Sequence, residues 1–411
     1  MNKKQIVMML LCGAGLAGLA GEQVMNTVDD AETIQVEGES AKLPVQETIG
    51  PFSGYRPKQI RFDRQWGSVV PKAMDIASLV VTQDGVQLQR DTDYIVEPDY
   101  ATIALLPGTS ADKEKPVMLN YRYSLKRLDS LIKGPDGKET LKKGVSRIAN
   151  PEPPELADGE TRIANIFVDS NCKGTDAEYF PVTDEPIVTD TTKGMIPRTL
   201  KKLKSGQPVK VVFWGDSVTV GGDSSSEEFR FANVAQRLIT EKFSQADISY
   251  EVIAVGGSGS VHWLFPEITQ HATRQDQCDF NRIINAKPDL VVIEFVNDDY
   301  LTGAQFDKQY NRIFDEMKKL DAEVIFVAPH LTWPGKLGIS ALRSSDPRPY
   351  TKLLKQFAAD NNCGLADASG RWSQTWKQGI PYATYLKNGI NHPDDRGHAL
   401  IAGEIIRCFD R

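Results

Sequence analysis

A serine, a glycine pair, an asparagine and a histidine carry the chemistry this sequence could do. Ser217 stands in Gly215-Asp216-Ser217, directly after the apolar run VKVVFW. A serine on a tight strand-to-helix turn is exposed, and nearby backbone N–H groups can face a developing oxyanion. The same serine could equally cap the following helix. Gly256-Gly257-Ser258-Gly259-Ser260 follows YEVIAV, where glycine lets the backbone approach a ligand closely. A phosphate cradle would need Gly-Lys-Ser/Thr, which is absent, and a plain turn is the simpler use. Asn297-Asp298 follows PDLVVIEFV. A side-chain amide there can donate to an oxyanion, although Asn-Asp is also a common turn pair. His392-Pro393, far along the chain, offers the general base that a serine nucleophile needs. His398 is a rival that suits packing or capping better. Nucleophile, base and oxyanion donors together describe acyl transfer.

These residues need a scaffold that brings distant loops to one edge. After Pro197 the chain alternates apolar runs with amphipathic stretches: FRFANVAQRLITEKF, FNRIINAKPDLVVIEFVND, QFDKQYNRIFDEMKKLDAEVIFVAP and PYTKLLKQFAADNNCGLADAS, closing with GHALIAGEIIRCF. Strand–helix alternation predicts a flavodoxin-like parallel sheet with helices on both faces over residues 196–411. In such sheets ligands bind beyond the carboxyl ends of the strands, where the four motifs fall. Residues 51–195 read differently. The Asp84-Gly85 turn in SLVVTQDGVQL is a strong hairpin cue. DYIVEPDYATIALLP and PVMLNYRYSL continue with β-branched and aromatic residues, which predicts a small all-β, sandwich-like accessory domain. Residues 21–50 read as a polar, mobile leader and 124–160 as loop.

The ordered set Gly-Asp-Ser, Gly loop, Asn-Asp and His-Pro resembles the SGNH hydrolase superfamily, the GDSL esterases and lipases. The resemblance covers 196–411 and extends in wording to a subgroup of exported bacterial members. It implies Ser217 as nucleophile and His392 as base. The N–H groups of Ser217 and Gly257 and the Asn297 amide would form the oxyanion hole. It implies no cofactor and no metal. Three positions depart from the family pattern. Val252 replaces the Asn that usually opens the second block. Phe295 replaces the glycine of Gly-x-Asn-Asp, which puts bulk near the acyl pocket and points to a small acyl group such as acetyl. Gly389 stands where the family has its triad aspartate, three residues before the histidine. Asn388, or a main-chain carbonyl, is the expected support for the imidazole, in a dyad or Asn-assisted site. Asp367, Asp394 and Glu294 are the alternative carboxylates. Trp263, His330, Trp333 and Arg348 are the candidate substrate contacts, although tryptophans at such positions more often serve the core and Arg348 beside Pro349 suits a structural ion pair equally well. Arg343 lies on the same loop, and Trp372 and Trp376 are further candidate sugar-stacking rings.

Composition bounds the rest. The 411 residues carry 48 basic and 55 acidic side chains for a net charge of −7. No basic run suggests nucleic acid. Lys3-Lys4 followed by an apolar run to about Ala20 reads as a signal peptide over 1–20, too short to span a bilayer. The expected location is therefore secreted or periplasmic, with no membrane partner after cleavage. Met9-Leu10-Leu11 lacks the small residue that would make Cys12 a lipidation site. Cys172, Cys278, Cys363 and Cys408 then remain, open to two bridges or four thiols. The expected function is a serine esterase for short-chain, acetyl-type esters on a small molecule or polysaccharide. The alternatives are a catalytically weakened carbohydrate-binding protein and a lipase or thioesterase. Oligomeric state is not legible.

Overall fold

The computed structural model describes residues 25, 27–50, 53–60, 70–265, 277–341 and 344–410. The signal segment 1–20, Cys12 and Arg343 lie outside the described residues. The chain divides into two compact units, 1–183 with 378–380, and 184–377 with 381–411. The division falls after Thr183 rather than after residue 195. Residues 188–192 belong with the second unit because they run along its last strand. Thr192 N–H donates to Leu365 O, and Asp367 N–H donates to Thr191 Oγ1.

The first unit is built of antiparallel strands: β1 (Thr33–Ala41), β2 (Met74–Gln83), β3 (Val86–Gln87), β4 (Tyr94–Glu97), β5 (Thr102–Leu105), β6 (Val117–Ser124), β7 (Arg127–Lys133), β8 (Glu139–Lys142), β9 (Thr161–Val168) and β10 (Glu178–Pro181). They form sheets ordered β1-β6-β2-β3 and β10-β9-β7-β8, and the hairpin β4-β5. Two expectations are corrected. The polar leader contains β1, which pairs with β6 although most of its side chains face solvent. The supposed loop 124–160 contains β7 and β8, joined through a Gly137 turn with positive φ. Its Lys, Gly and Pro content marks a hairpin turn, not an unstructured run.

The second unit is a five-stranded parallel sheet, ordered β12-β11-β13-β14-β15: β11 (Val209–Gly215), β12 (Ile248–Ala254), β13 (Leu290–Glu294), β14 (Glu323–Ala328) and β15 (Gly364–Asp367). Alternate side chains feed two cores. Val212, Trp214, Ile293 and Phe326 pack into one, and Val211, Phe213, Val292 and Ile325 into the other. Helices therefore cover both faces, as continuous apolar strands require. Those that matter for the site are α1 (Pro197–Lys204), α2 (Ser217–Val220), α3 (Phe231–Lys242), α4 (Ser260–Leu264), α5 (Asn281–Ala286), α6 (Gly303–Lys319), α7 (Pro334–Leu337), α8 (Pro349–Asp360), α9 (Ala368–Trp372) and α10 (Asp395–Arg407). Among the described residues, no helix is long and apolar enough to cross a membrane. The four described cysteines are free thiols.

Candidate active site

Strand β11 runs straight into α2, and Gly215 makes the junction possible. A Cβ at Gly215 would lie 2.1 Å from both Glu294 O and Thr219 Oγ1. Asp216 then caps α2, its Oδ1 accepting from Val218 N–H at 2.9 Å. Ser217 follows at the helix start. Its Oγ donates to His392 Nε2 at 2.9 Å. His392 Nδ1 in turn donates to Asp223 Oδ2 at 2.8 Å. An ionised carboxylate can only accept, so Asp223 makes Nδ1 the protonated nitrogen and leaves Nε2 as the base toward Ser217. The His392 and Asp223 side chains are 21% and 13% exposed, and Ser217 is half-buried, so a reactant can reach the serine end of the chain of hydrogen bonds.

Asp223 was not among the expected carboxylates. It lies on the loop just past the nucleophile, after Gly221-Gly222, and adopts a left-handed backbone with φ 63°. Asp is one of the few side chains that visit this region readily. The legible signal was the glycine pair, which lets the chain double back after a one-turn helix. Asn388 does not hold the imidazole. Its Oδ1 accepts the N–H groups of Ile390, Asn391 and His392 at 2.8, 2.9 and 3.0 Å, which shapes the histidine's loop. Asp367 is bound to Lys355 and Gly370 N–H, Asp394 to Arg396 and Gly397 N–H, and Glu294 to Thr219. None of these three faces the ring.

The oxyanion elements are tied to one another by buried acids. Asp216 Oδ2 accepts Asn297 N–H at 3.0 Å, linking the nucleophile turn to the end of β13. Asp298 Oδ1 accepts Ser260 N–H at 2.9 Å, and Asn297 Nδ2 donates to Ser258 O at 3.0 Å. Both bonds hold the glycine loop, in which Gly257 has φ 71°. Ser217, Gly257 and Asn297 thus lie on three turns stitched together at one end of the sheet. Asp216 and Asp298 are fully buried, and desolvation pushes their carboxyls up to about 7 and about 6. Glu294 is likewise raised well above the usual carboxylate range, by desolvation and by Asp216 beside it.

The four expected substrate contacts are placed otherwise. Trp263 is buried edge-on against Trp214 and donates from Nε1 to Ser258 Oγ at 3.1 Å, bracing the glycine loop from beneath. His330 is buried and its Nε2 meets Asn391 O at 2.7 Å; burial lowers it to about 3, so it works as a neutral donor. Arg348 is spent on Asp346 and on the carbonyls of Pro329 and His330. Trp333 is mostly buried, with its backbone N–H on Ile390 O and its ring packed over Gly335. Trp263, His330 and Arg348 are thus bonded to the loops that surround the serine. Trp372 is also buried. Phe295 turns into the core against Trp214, so its bulk is withdrawn from the acyl side. Among the described residues, no group of three or more His, Cys, Asp or Glu is placed to hold a metal ion.

Residues 213–400 match the model of the GDSL-like lipase/acylhydrolase family. No curated protein matches the chain. Among solved structures the chain is similar to a two-domain esterase active on acetylated mannans, at 22% identity over 53% of this chain and 52% of that one, with a TM-score of 0.41. The chain thus spans about half the length of that esterase. It is also similar to an acetyl xylan esterase from Geobacillus stearothermophilus, at 18% identity over 49% of this chain and 96% of that one, TM-score 0.37. A third is a member of the lipolytic protein G-D-S-L family from Veillonella parvula DSM 2008, at 16% identity over 49% and 97%, TM-score 0.35.

Proposed function

Because its α/β unit belongs to the SGNH hydrolase superfamily, we propose that this protein is a serine esterase whose triad is Ser217, His392 and Asp223. The observation that carries the proposal is the unbroken chain from Ser217 Oγ through His392 to Asp223. His392 Nε2 takes the proton of Ser217 as Oγ attacks the ester carbonyl. Asp223 holds the ring and stabilises the imidazolium that forms. The oxyanion is met by the N–H groups of Ser217 and Gly257 and by the Asn297 amide, whose other hydrogen is engaged by Ser258 O. His392 then protonates the leaving alcohol, and water attacks the acyl-enzyme by the same route in reverse.

The substrate is a short acyl ester on a sugar hydroxyl; acetyl is the acyl group the sequence points to, and Phe295, turned into the core, no longer argues for it. Polar residues next to Asn297 in the chain favour this over a lipid. The residues that follow Asn297-Asp298 are Asp299, paired with Lys336, and Tyr300, 54% exposed. Residues 1–20, read as an export signal, would deliver the enzyme to the periplasm or beyond. The reading as a weakened carbohydrate-binding protein rested on the missing triad acid, and Asp223 removes that support.

The test is hydrolysis of 4-nitrophenyl esters of increasing chain length, alongside release of acetate from acetylated polysaccharide. Acetate is the expected preferred acyl group. Ser217→Ala loses at least about a thousandfold in kcat, as removal of a triad nucleophile does. A Ser217→Ala protein that works at the parent rate overturns the assignment. A preference for medium-chain acyl groups overturns the substrate.

A further inference from the structure

We propose that Asp395 and His398, in the first turns of α10, are positioning residues that hold the acid Asp223 against His392. This rests on the Ser217–His392–Asp223 reading and extends it. The whole assembly is then made by two chain segments, 217–225 and 388–398, which clamp each other.

Asp223 has a left-handed backbone, φ 63°, which even an aspartate adopts only as an isolated residue, so contacts around it help to hold its loop. Part of the hold is local. Gly222 N–H donates to Ser217 O at 2.8 Å, and Ser224 donates to Gly221 O through both N–H and Oγ. The rest comes from α10. Asp395 grips the loop with both carboxylate oxygens, Oδ1 accepting Ser225 N–H at 2.7 Å and Oδ2 accepting Ser225 Oγ at 2.5 Å. His398 Nε2 meets Gly222 O at 3.3 Å, and its Nδ1 accepts Phe231 N–H at 3.3 Å. A nitrogen that accepts from a backbone N–H carries no proton, so His398 is the neutral, Nε2-protonated form and a donor to Gly222. It is fully buried, and its ring stacks on Phe231.

Asp395 and His398 are three residues apart and share a helix face. Asp394, between His392 and this pair, caps the same helix by accepting Gly397 N–H at 3.0 Å. The base, the cap and both fasteners therefore move as one body. Gly222 packs closely against the imidazole: a Cβ there would be 2.9 Å from His392 Cε1 and Nδ1. Asp395 touches neither Ser217 nor His392 and can act only through the loop that carries Asp223.

The experiment is a double-mutant cycle on the full chain with an acetyl ester, separating kcat from KM. Asp395→Ala is expected to lower kcat about 10- to 100-fold, the scale of a misplacement near 1 Å, with KM within about twofold. In the Asp223→Asn background, itself down by up to about 10,000-fold, the same change is expected to cost less than about twofold, because nothing remains to be positioned. Ser225→Ala removes one of the two bonds from the opposite side and reproduces part of the loss. It also carries the test if Asp395→Ala fails to fold. Equal losses in both backgrounds, or unchanged kcat in Asp395→Ala or in Ser225→Ala, overturn the positioning role. Full activity in Asp223→Asn alone overturns the triad reading instead.

Discussion

In the β unit Arg127 and Asp129 are each 1% exposed, and the guanidinium meets the carboxylate through Nε and Nη2 at 2.7 and 3.1 Å. Arg127 also reaches the carbonyls of Asp29 and Asp30, and Asp129 accepts Gly144 N–H. Each charge is matched by its opposite. In the α/β unit Asp216, Glu294 and Asp298 are buried just as deeply, yet among the described residues none of them pairs with a lysine or arginine. They accept instead from backbone N–H groups and hydroxyls. The first arrangement anchors a strand. The second organises three turns around a serine. Desolvation leaves Asp216, at about 7, only partly ionised near neutrality, so it opposes a nearby oxyanion less than a fully ionised acid would. A counter-ion would restore its full charge.

Three changes probe this difference, beyond those that test the triad. Arg127→Ala strands Asp129 without a partner, and breaking a buried ion pair from one side costs about 3–5 kcal/mol. Hydrogen exchange at the β7 and β9 amides should report that loss; protection within about 1 kcal/mol of the parent would mean that the pair is not the anchor. His398 tests neutral burial. Burial lowers it to about 4, while an unfolded histidine titrates near 6.5. As pH falls from 6.5 the unfolded chain binds this proton first, so the native protein loses up to about 3 kcal/mol by pH 4. His398→Gln lacks that penalty. Its stability deficit against the parent is therefore expected to shrink across this window in thermal melts; a deficit independent of pH contradicts the neutral assignment. The smallest effect is expected for Asp298→Asn. The amide oxygen keeps Ser260 N–H, and its NH2 can face the Tyr310 hydroxyl. The net cost of one neutral hydrogen bond is about 1 kcal/mol. A loss comparable to that of Arg127→Ala would show that Asp298 needs its charge, and the contrast between the units would fail.

The α/β sheet was legible because strands buried on both faces read as apolar runs, and their ends read as glycine and polar residues. Ser217, Gly257 and Asn297 stand out as candidates by that signal, whereas His392 lies in the loop before the last helix and not at a strand end. The β unit was only partly legible. β1 alternates weakly with most side chains in solvent, and β7–β8 hides behind a lysine-rich turn. Trp263 suits sugar stacking or the core by residue type, and Arg348 suits a substrate or an ion pair, because residue type and position after a strand do not report burial. Trp263 and His330 instead brace the glycine loop and the histidine loop, one from the core side and the other through Asn391 O.

Residue order alone determined the sheet class and singled out Ser217, Gly257 and Asn297 as candidates just past apolar runs, with His392 as the candidate base before the last helix. It also showed that the usual acid is missing at Gly389. Which carboxylate meets His392 was decided only in three dimensions. Asp223 is separated from His392 by 169 positions, and it reaches the ring because a left-handed turn, Ser225 and the first turns of α10 bring it there. Hydrogen-bond geometry across such a distance has no sequence period, and only the folded chain expresses it.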